Sequence, residues 1–528
     1  VAERALGPGE ATDGSDRPPV PVEPRVPPAR RVFLTTWAAA SLFFVILCGL
    51  WSLSTPIPSG PDEPTQYVKA TAVAHGTLTG EHRKGFPPGT VLVHVPGTFV
   101  LYDPGTGCYY LHPTVPAGCT RPPNAGSDVQ ATTTYVGEYP PLYYAITGLP
   151  TLVSNHPLTR RAMRGMSTVV SSLLLGVALA AAVTWSRSRW LVVGVALAVT
   201  PTAVYLASVL NPNGLEISAA LAAWTAGVLL VFDHDARPPP GLVAVFAASA
   251  VTLALTRPLS PLWLVGIVGA LSLIRPAAAR RLVADKAVRV GLAVTGAAIA
   301  IAVLFVVING SLSIEKFPLT PGLSDLQVAS LVAGRVPLHV WSMVGQFGGP
   351  EFTAPSLAVG MWVVGVGALV CVAASISSRW EATVLILTVV GLLVVLPFAA
   401  TYPEARTHGL VWQGRYQYPA AVGIPLLATA LLGKARTNMG RSGGLAATAI
   451  VIVHVATFYW VLRRYTVGLG SFVNAFAHVP GGWRPPVSAV VLAGLVTLVS
   501  VGSGVWLVSR LRRPLRLEAT GPVDLSPV

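Results

Sequence analysis

Residues 30–53 read RRVFLTTWAAASLFFVILCGLWSL, two arginines followed by an apolar run with no charged side chain. A helix needs about 20 such residues, rising roughly 1.5 Å each, to cross a hydrocarbon core of about 30 Å. The run from Val32 to Leu53 has that length. It is too long for a signal-peptide core and lacks a small-residue cleavage site, which predicts an uncleaved first transmembrane helix.

The same pattern recurs along the chain. Apolar runs cover about 163–185, 190–209, 214–232, 241–256, 259–274, 288–308, 356–376, 381–400, 419–433, 445–462 and 487–508, so about twelve helices are expected. Of 528 residues, 52% are hydrophobic and 11% charged, with a mean hydropathy of +0.62, whereas a soluble domain carries about 25% charged residues. The fold class implied is an all-α polytopic membrane protein over residues 32–511. A Pro- and Gly-rich cytoplasmic tail at 1–31 cannot bury enough surface to order itself, and 512–528 forms a second cytoplasmic tail. Residues 241–274 are the weakest stretch. Two runs of about 16 residues flank Arg257 and Pro258 there, and they form either two full spans or a broken pair.

The net charge of +14 raises the question of nucleic acid. The arginines, however, sit in short clusters between apolar runs, with no aromatic-interleaved basic stretch. They read as topogenic, placing both termini in the cytoplasm. The long connections at 54–161, 309–355, 401–418 and 463–486 then lie outside, and the first is too long for a mere connector. Cys48 and Cys371 fall in apolar runs, whereas Cys108 and Cys119 share a polar loop. In an oxidising compartment that pair reads as a disulfide.

The outer face also collects the candidate site residues. Asp62 and Glu63 sit between Pro61 and Pro64. Adjacent carboxylates make one a candidate general base and the pair a candidate ligand for Mg or Mn, against the plain alternative of acids answering a helix dipole. Glu138, Tyr139 and Tyr143 offer an aromatic platform or an interfacial anchor. Asn211 and Asn213 suit helix capping, while Glu216 is an acid just inside an apolar helix. Arg257, Arg406, His408, Gln413, Arg415 and Tyr416 are candidates for an anionic lipid headgroup, because a guanidinium fork matches phosphate. Walker A, dinucleotide-fingerprint and HExxH patterns are absent, so chemistry outside the cell would need a membrane-borne donor.

Pro61 to Pro64 with Ala70 and Gly76, Tyr139 to Tyr144, Asn211 to Gly214, Arg257 with Pro258, Gly345 with Phe347 and Gly348, and Gln413 to Tyr416 followed by Pro419 occur in this order. In these motifs the chain resembles the bacterial membrane family called domain of unknown function 2142, which is similar to the GT-C glycosyltransferase superfamily. The resemblance implies a GT-C-like fold in a bacterial plasma membrane. It also implies a polyprenyl-phosphate-sugar donor, an envelope glycan acceptor, Asp62 as base and Glu63 as its partner. Where the family usually carries His, two positions past the Asp-Glu-Pro triplet, this chain has Gln66. A transporter or flippase of lipid-linked sugars, and a noncatalytic scaffold of envelope synthesis, are the alternatives.

Overall fold

The run after Arg31 forms one helix, α1 (Ala29–Leu53), in the computed structural model. The structure describes residues 29–101, 107–120, 126–313, 315–349, 352–434, 440–470 and 473–512. The expected tails, up to residue 28 and from residue 513, lie outside the described residues.

After α1 comes a segment on one face of the helical bundle, called here the loop face. It holds α2 (Glu63–Ala74), the hairpin of β1 (Val91–Pro96) with β2 (Val129–Thr134), and α3 (Leu142–Gly148). The hairpin is antiparallel, pairing Val91 with Thr134 and Pro96 with Val129. Val91, Val93 and Val95 face Val68 and Ala72 of α2, so one buried apolar face fixes the hairpin on the helix.

The bundle continues with α4 (Thr159–Trp185), α5 (Trp190–Ala198), α6 (Pro201–Ser208) and α7 (Pro212–Phe232). Of the apolar window of α7, 94% is buried, as expected of a helix that is hydrophobic all round and surrounded by others. Next are α8 (Pro240–Ala254), α9 (Ser260–Ile274), α10 (Pro276–Ala284) and α11 (Lys286–Asn309), then α12 (Asp325–Gly345), α13 (Ser356–Ile376), α14 (Arg379–Val390) and α15 (Leu396–Thr401). The chain closes with α16 (Ala405–His408), α17 (Gly414–Ala421), α18 (Gly423–Lys434), α19 (Gly440–Thr466) and α20 (Ala489–Arg512).

The expected dozen crossings are not all full ones. Among the described residues eight helices are long and apolar enough to cross, or up to ten if each of two bent pairs counts as one span. Proline accounts for both bends. Pro201 opens α6 after Thr200, whose side chain accepts from the Ala203 N–H, and α5 and α6 meet at 58°. Pro276 opens α10, which turns 111° from α9. A proline lacks the N–H that would continue the ladder but suits a helix start. At 15 residues α8 is roughly 22 Å long, short of a hydrocarbon core, and the run at 419–433 is divided between α17 and α18.

The 309–355 connection is also not a plain loop. It contains the 21-residue α12, opened by a capping box in which Ser324 and Gln327 each bond the other's backbone.

Candidate functional site

Glu63 is fully buried and committed. Its Oε1 accepts from Arg164 Nε at 2.6 Å and from the Leu210 N–H at 3.0 Å, and its Oε2 accepts from Arg164 Nη2 at 2.6 Å and the Gly60 N–H at 2.8 Å. Arg164 also donates to the carbonyls of Thr55 and Pro56, both at 2.8 Å. A bidentate, charge-assisted pair of this kind fixes geometry strongly. It joins the end of α1, the body of α4 and the start of α7 in one knot. The expected role of Glu63 as catalytic partner is therefore corrected: it holds the segment in place and offers no free oxygen.

Asp62 projects out of that knot. It occupies the N-cap position of α2 with φ 57° and makes no capping hydrogen bond. A non-glycine residue held in the left-handed region costs about 1–3 kcal/mol and persists only where surrounding structure imposes it. Here the carboxylate is held from two sides. Arg415 Nη2 donates to Oδ2 at 2.6 Å, and the Tyr135 hydroxyl donates to Oδ1 at 2.9 Å. Asp62 is half-exposed, at 36%, and Arg415 is 7% exposed.

Arg415 reaches this point because α17 lies hard against α12. A Cβ on Gly414 would stand 2.1 Å from the His339 carbonyl oxygen, so only glycine permits the approach. The ring of Tyr416 lies between two guanidiniums: its centroid is 5.3 Å from Arg415 Cζ and 5.3 Å from Arg257 Cζ. Arg257 also lies 5.7 Å from the Tyr139 ring. Both distances are within cation–π range.

The short helices α8 and α9 explain the position of Arg257. Their turn stops beside Glu216, one helical turn inside α7. Arg257 Nη1 is 3.4 Å from Glu216 Oε2, and Ser260 Oγ donates to Oε1 at 2.8 Å. Asn213 Nδ2 donates to the same carboxylate at 3.1 Å. The turn between α8 and α9 thus brings Arg257 to this acid.

Several buried donors in this cluster have no hydrogen-bond partner: Nε and Nη1 of Arg415, Nε of Arg257, Nε2 of Gln417 and Nε1 of Trp263. Leaving such groups unpaired is costly, more so when they are charged. Trp412 links them. Its ring contacts those of Tyr416 at 5.8 Å and Trp263 at 6.5 Å, and its Nε1 donates to Gln417 Oε1. Gln413 precedes α17 in its N-cap position, half-buried.

Other expected residues lie elsewhere. Arg406 pairs with Asp325 at 2.7 Å and the Leu323 carbonyl at 2.9 Å on the surface, and His408 Nδ1 meets Glu404 at 2.7 Å. Both belong to the small helix α16 packed on α12, not to the arginine pair. Tyr143 is buried against α4, its hydroxyl 2.9 Å from Ser167 Oγ. Asn211 caps α7 and donates to the Pro61 carbonyl at 2.7 Å, so it positions the acid segment from behind. Gln66 is buried and accepts from the Tyr144 hydroxyl at 2.7 Å.

Glu138 has partners other than the arginine pair. Its carboxylate meets His82 Nε2 at 3.0 Å, and its carbonyl accepts from Ser311 Oγ. Burial raises the Glu138 carboxyl, opposed by His82 and Lys69. Lys69, donating to the carbonyls of Leu78 and Gly137, is lowered by burial to about 7.

The residues do not fit the expected divalent cation. Asp62 and Glu63 point to different arginines and do not converge on one point, and among the described residues no three His, Cys, Asp or Glu side chains converge. Cys108 and Cys119 are disulfide-bonded, with Cα atoms 6.2 Å apart. Sequence reading missed Arg164 and Tyr135. A third arginine, a turn past Arg160 and Arg161 and next to the apolar run of α4, was the available signal for the first.

No curated protein matches this sequence. Among solved structures the chain is similar to that of ArnT from Cupriavidus metallidurans bound to undecaprenyl phosphate. The two share 12% identity at a TM-score of 0.40, over 91% of this chain and 76% of that one. The pattern of the family described as predicted membrane protein (DUF2142) matches residues 43–424, from the middle of α1 through both arginines. By that match the chain belongs to the DUF2142 family of membrane proteins.

Proposed function

We propose that the protein is a glycosyltransferase of the bacterial plasma membrane, with its termini in the cytoplasm and its loop face outside. It transfers a sugar from a polyprenyl-phosphate-linked donor to an envelope glycan or glycoconjugate, inverting the anomeric centre. The observation that carries this reading is the arginine pair. Two buried guanidiniums flank Tyr416 with N–H groups unpartnered, and one of them is bonded to a half-exposed carboxylate.

In this reading Arg257 and Arg415 hold the donor phosphate, whose charge matches their unpaired donors. Asp62 takes the proton of an acceptor hydroxyl as its oxygen attacks the anomeric carbon. The bond from that carbon to the phosphate oxygen breaks, and its electron pair stays on the phosphate. The site gains no net charge: Asp62 is neutralised as the phosphate gains one negative charge, and Arg415 lies within reach of both. Because the phosphate is a good leaving group, stabilising its charge replaces a general acid. No step uses a divalent ion.

The test is transfer by purified protein in lipid vesicles carrying a polyprenyl-phosphate-linked sugar. Asp62→Asn should abolish transfer while the lipid phosphate still binds. Movement of intact donor across the vesicle membrane, unaffected by Asp62→Asn, would instead identify a carrier of lipid-linked sugars.

A further inference from the structure

The two oxygens of Asp62 have different surroundings. Oδ2 faces the helical bundle and Arg415, while Oδ1 faces the hairpin and Tyr135. An inverting displacement places the entering hydroxyl and the departing phosphate on opposite sides of the anomeric carbon. If the arginines hold the phosphate, the entering hydroxyl comes from the other side, which is that of Oδ1.

We infer that Tyr135 and the Oδ1 edge of Asp62 form the acceptor subsite, that Tyr135 is its positioning residue, and that the acceptor is an uncharged, hydroxyl-bearing glycan segment lying along β2. The inference rests on the proposed transferase reading and adds where the second substrate enters.

Three observations support it. Tyr135 is 44% exposed, so it stands at the mouth of the site rather than in the core. Exposure alternates along β2, with Val129, Ala131 and Thr133 exposed, and Tyr135 follows in the turn after the strand, where its hydroxyl reaches Asp62. In the two-stranded sheet β2 pairs only with β1, whereas β1 is bridged on its far side by Glu81, so among the described residues the open edge belongs to β2.

Charge decides the class of occupant. Residues 129–137, VQATTTYVG, carry no acidic or basic side chain, and the ionisable groups beside them are Asp128 before the strand and the exposed His94 opposite Ala131. The arginines lie across Asp62 from this strand, which suits hydroxyls and pyranose faces better than an ionic polymer. The hairpin is also anchored. Thr134 Oγ1 donates to the Thr65 carbonyl at 3.3 Å, and the valines of β1 pack on α2, whose first residue follows Asp62. Tyr135 and Asp62 therefore belong to one packed unit, and a ligand on the strand is registered against the base.

The experiment has two arms. In the first, Thr133 is replaced by the photoreactive residue p-benzoylphenylalanine and the intact protein is irradiated in its native membrane. Adducts are analysed for carbohydrate, lipid phosphate and polypeptide, and a carbohydrate adduct is expected. In the second, undecaprenyl phosphate is titrated onto the purified protein. Tyr135→Phe should leave its affinity within about two-fold while lowering glycan transfer about five-fold, the effect of one hydrogen bond. Arg257→Gln should weaken undecaprenyl phosphate by about ten-fold or more, as expected for bonds to a charged group. The inference is overturned if Thr133 captures only lipid or polypeptide or yields no adduct, or if Tyr135→Phe weakens the lipid phosphate as Arg257→Gln does. Failure of the unsubstituted protein to bind undecaprenyl phosphate would remove the donor reading itself, a result separate from either of those.

Discussion

Asp62 and Glu63 are neighbours in the chain but bind different arginines: Asp62 reaches Arg415, 353 residues away, and Glu63 reaches Arg164, 101 residues away. The left-handed backbone at Asp62 makes the divergence possible, since it turns one carboxylate toward the open site as the next enters the core. One acid is thereby buried and the other part-exposed.

Removing the charge of Glu63 should unfold rather than merely inactivate. Glu63→Gln leaves Arg164 buried without its counter-charge, a change that costs about 3–5 kcal/mol. Thermal unfolding in detergent should show a large fall in Tm for Glu63→Gln and for Arg164→Gln, and a much smaller one for Asp62→Asn. A Glu63→Gln protein with the native Tm but no activity would assign the base to Glu63 instead.

The split between residues inside and outside the arginine pair can be measured by binding. Arg415→Gln should weaken undecaprenyl phosphate by about ten-fold or more, whereas Arg406→Gln and His408→Ala should not alter it. Arg415→Lys should restore little, because a point charge cannot replace a planar fork. Equal losses in all the variants would indicate a diffuse surface effect.

Lys69 gives a pH signature. Its folded value, near 7, lies below the ordinary value of 10.5, so between these limits the unfolded chain binds more protons than the folded one. Stability then rises with pH across that window, because the penalty of burying a charged ammonium disappears as the amine loses its proton. The Tm of Lys69→Met relative to the native chain should be most favourable near pH 6.5 and least favourable near pH 9.5. A difference that does not vary with pH would mean that Lys69 does not titrate there.

The Cys108–Cys119 loop is held twice. Besides the disulfide, Arg464 donates to the carbonyls of Tyr109 and Val115, both at 2.6 Å, and Tyr109 meets Ser59 Oγ at 2.5 Å, three residues before Asp62. Closing a loop of this size stabilises by about 2–4 kcal/mol. Cys108→Ser combined with Cys119→Ser should lower Tm accordingly and, on the proposed transferase reading, lower transfer in parallel, because the clamp adjoins Asp62. Unchanged Tm with lost transfer would point to a direct chemical role for the cysteines.

Much of the membrane architecture was legible because the bilayer imposes a length and a composition on any segment that crosses it. Each apolar run after the first tail proved helical, and the disulfide followed from two cysteines in one polar loop. The crossing count was not legible. Pro201 and Pro276 open new helices within or next to apolar runs, and hydropathy does not distinguish a straight span from a bent one. In the same way α12 was hidden by its Arg335, Pro337 and His339, although its capping box at Ser324 and Gln327 was readable.

For the candidate site, sequence alone determined the residue types and the loop face: an acid after the first helix, arginines after later ones, aromatic rings between. Those follow from local rules about charge and burial near a membrane. Only the tertiary structure decided which acid meets which arginine. That choice depends on a left-handed turn at Asp62, on a Cβ-free Gly414 that lets α17 approach α12, and on contacts between segments hundreds of residues apart. Such contacts form only when the whole bundle packs, and no local pattern encodes them.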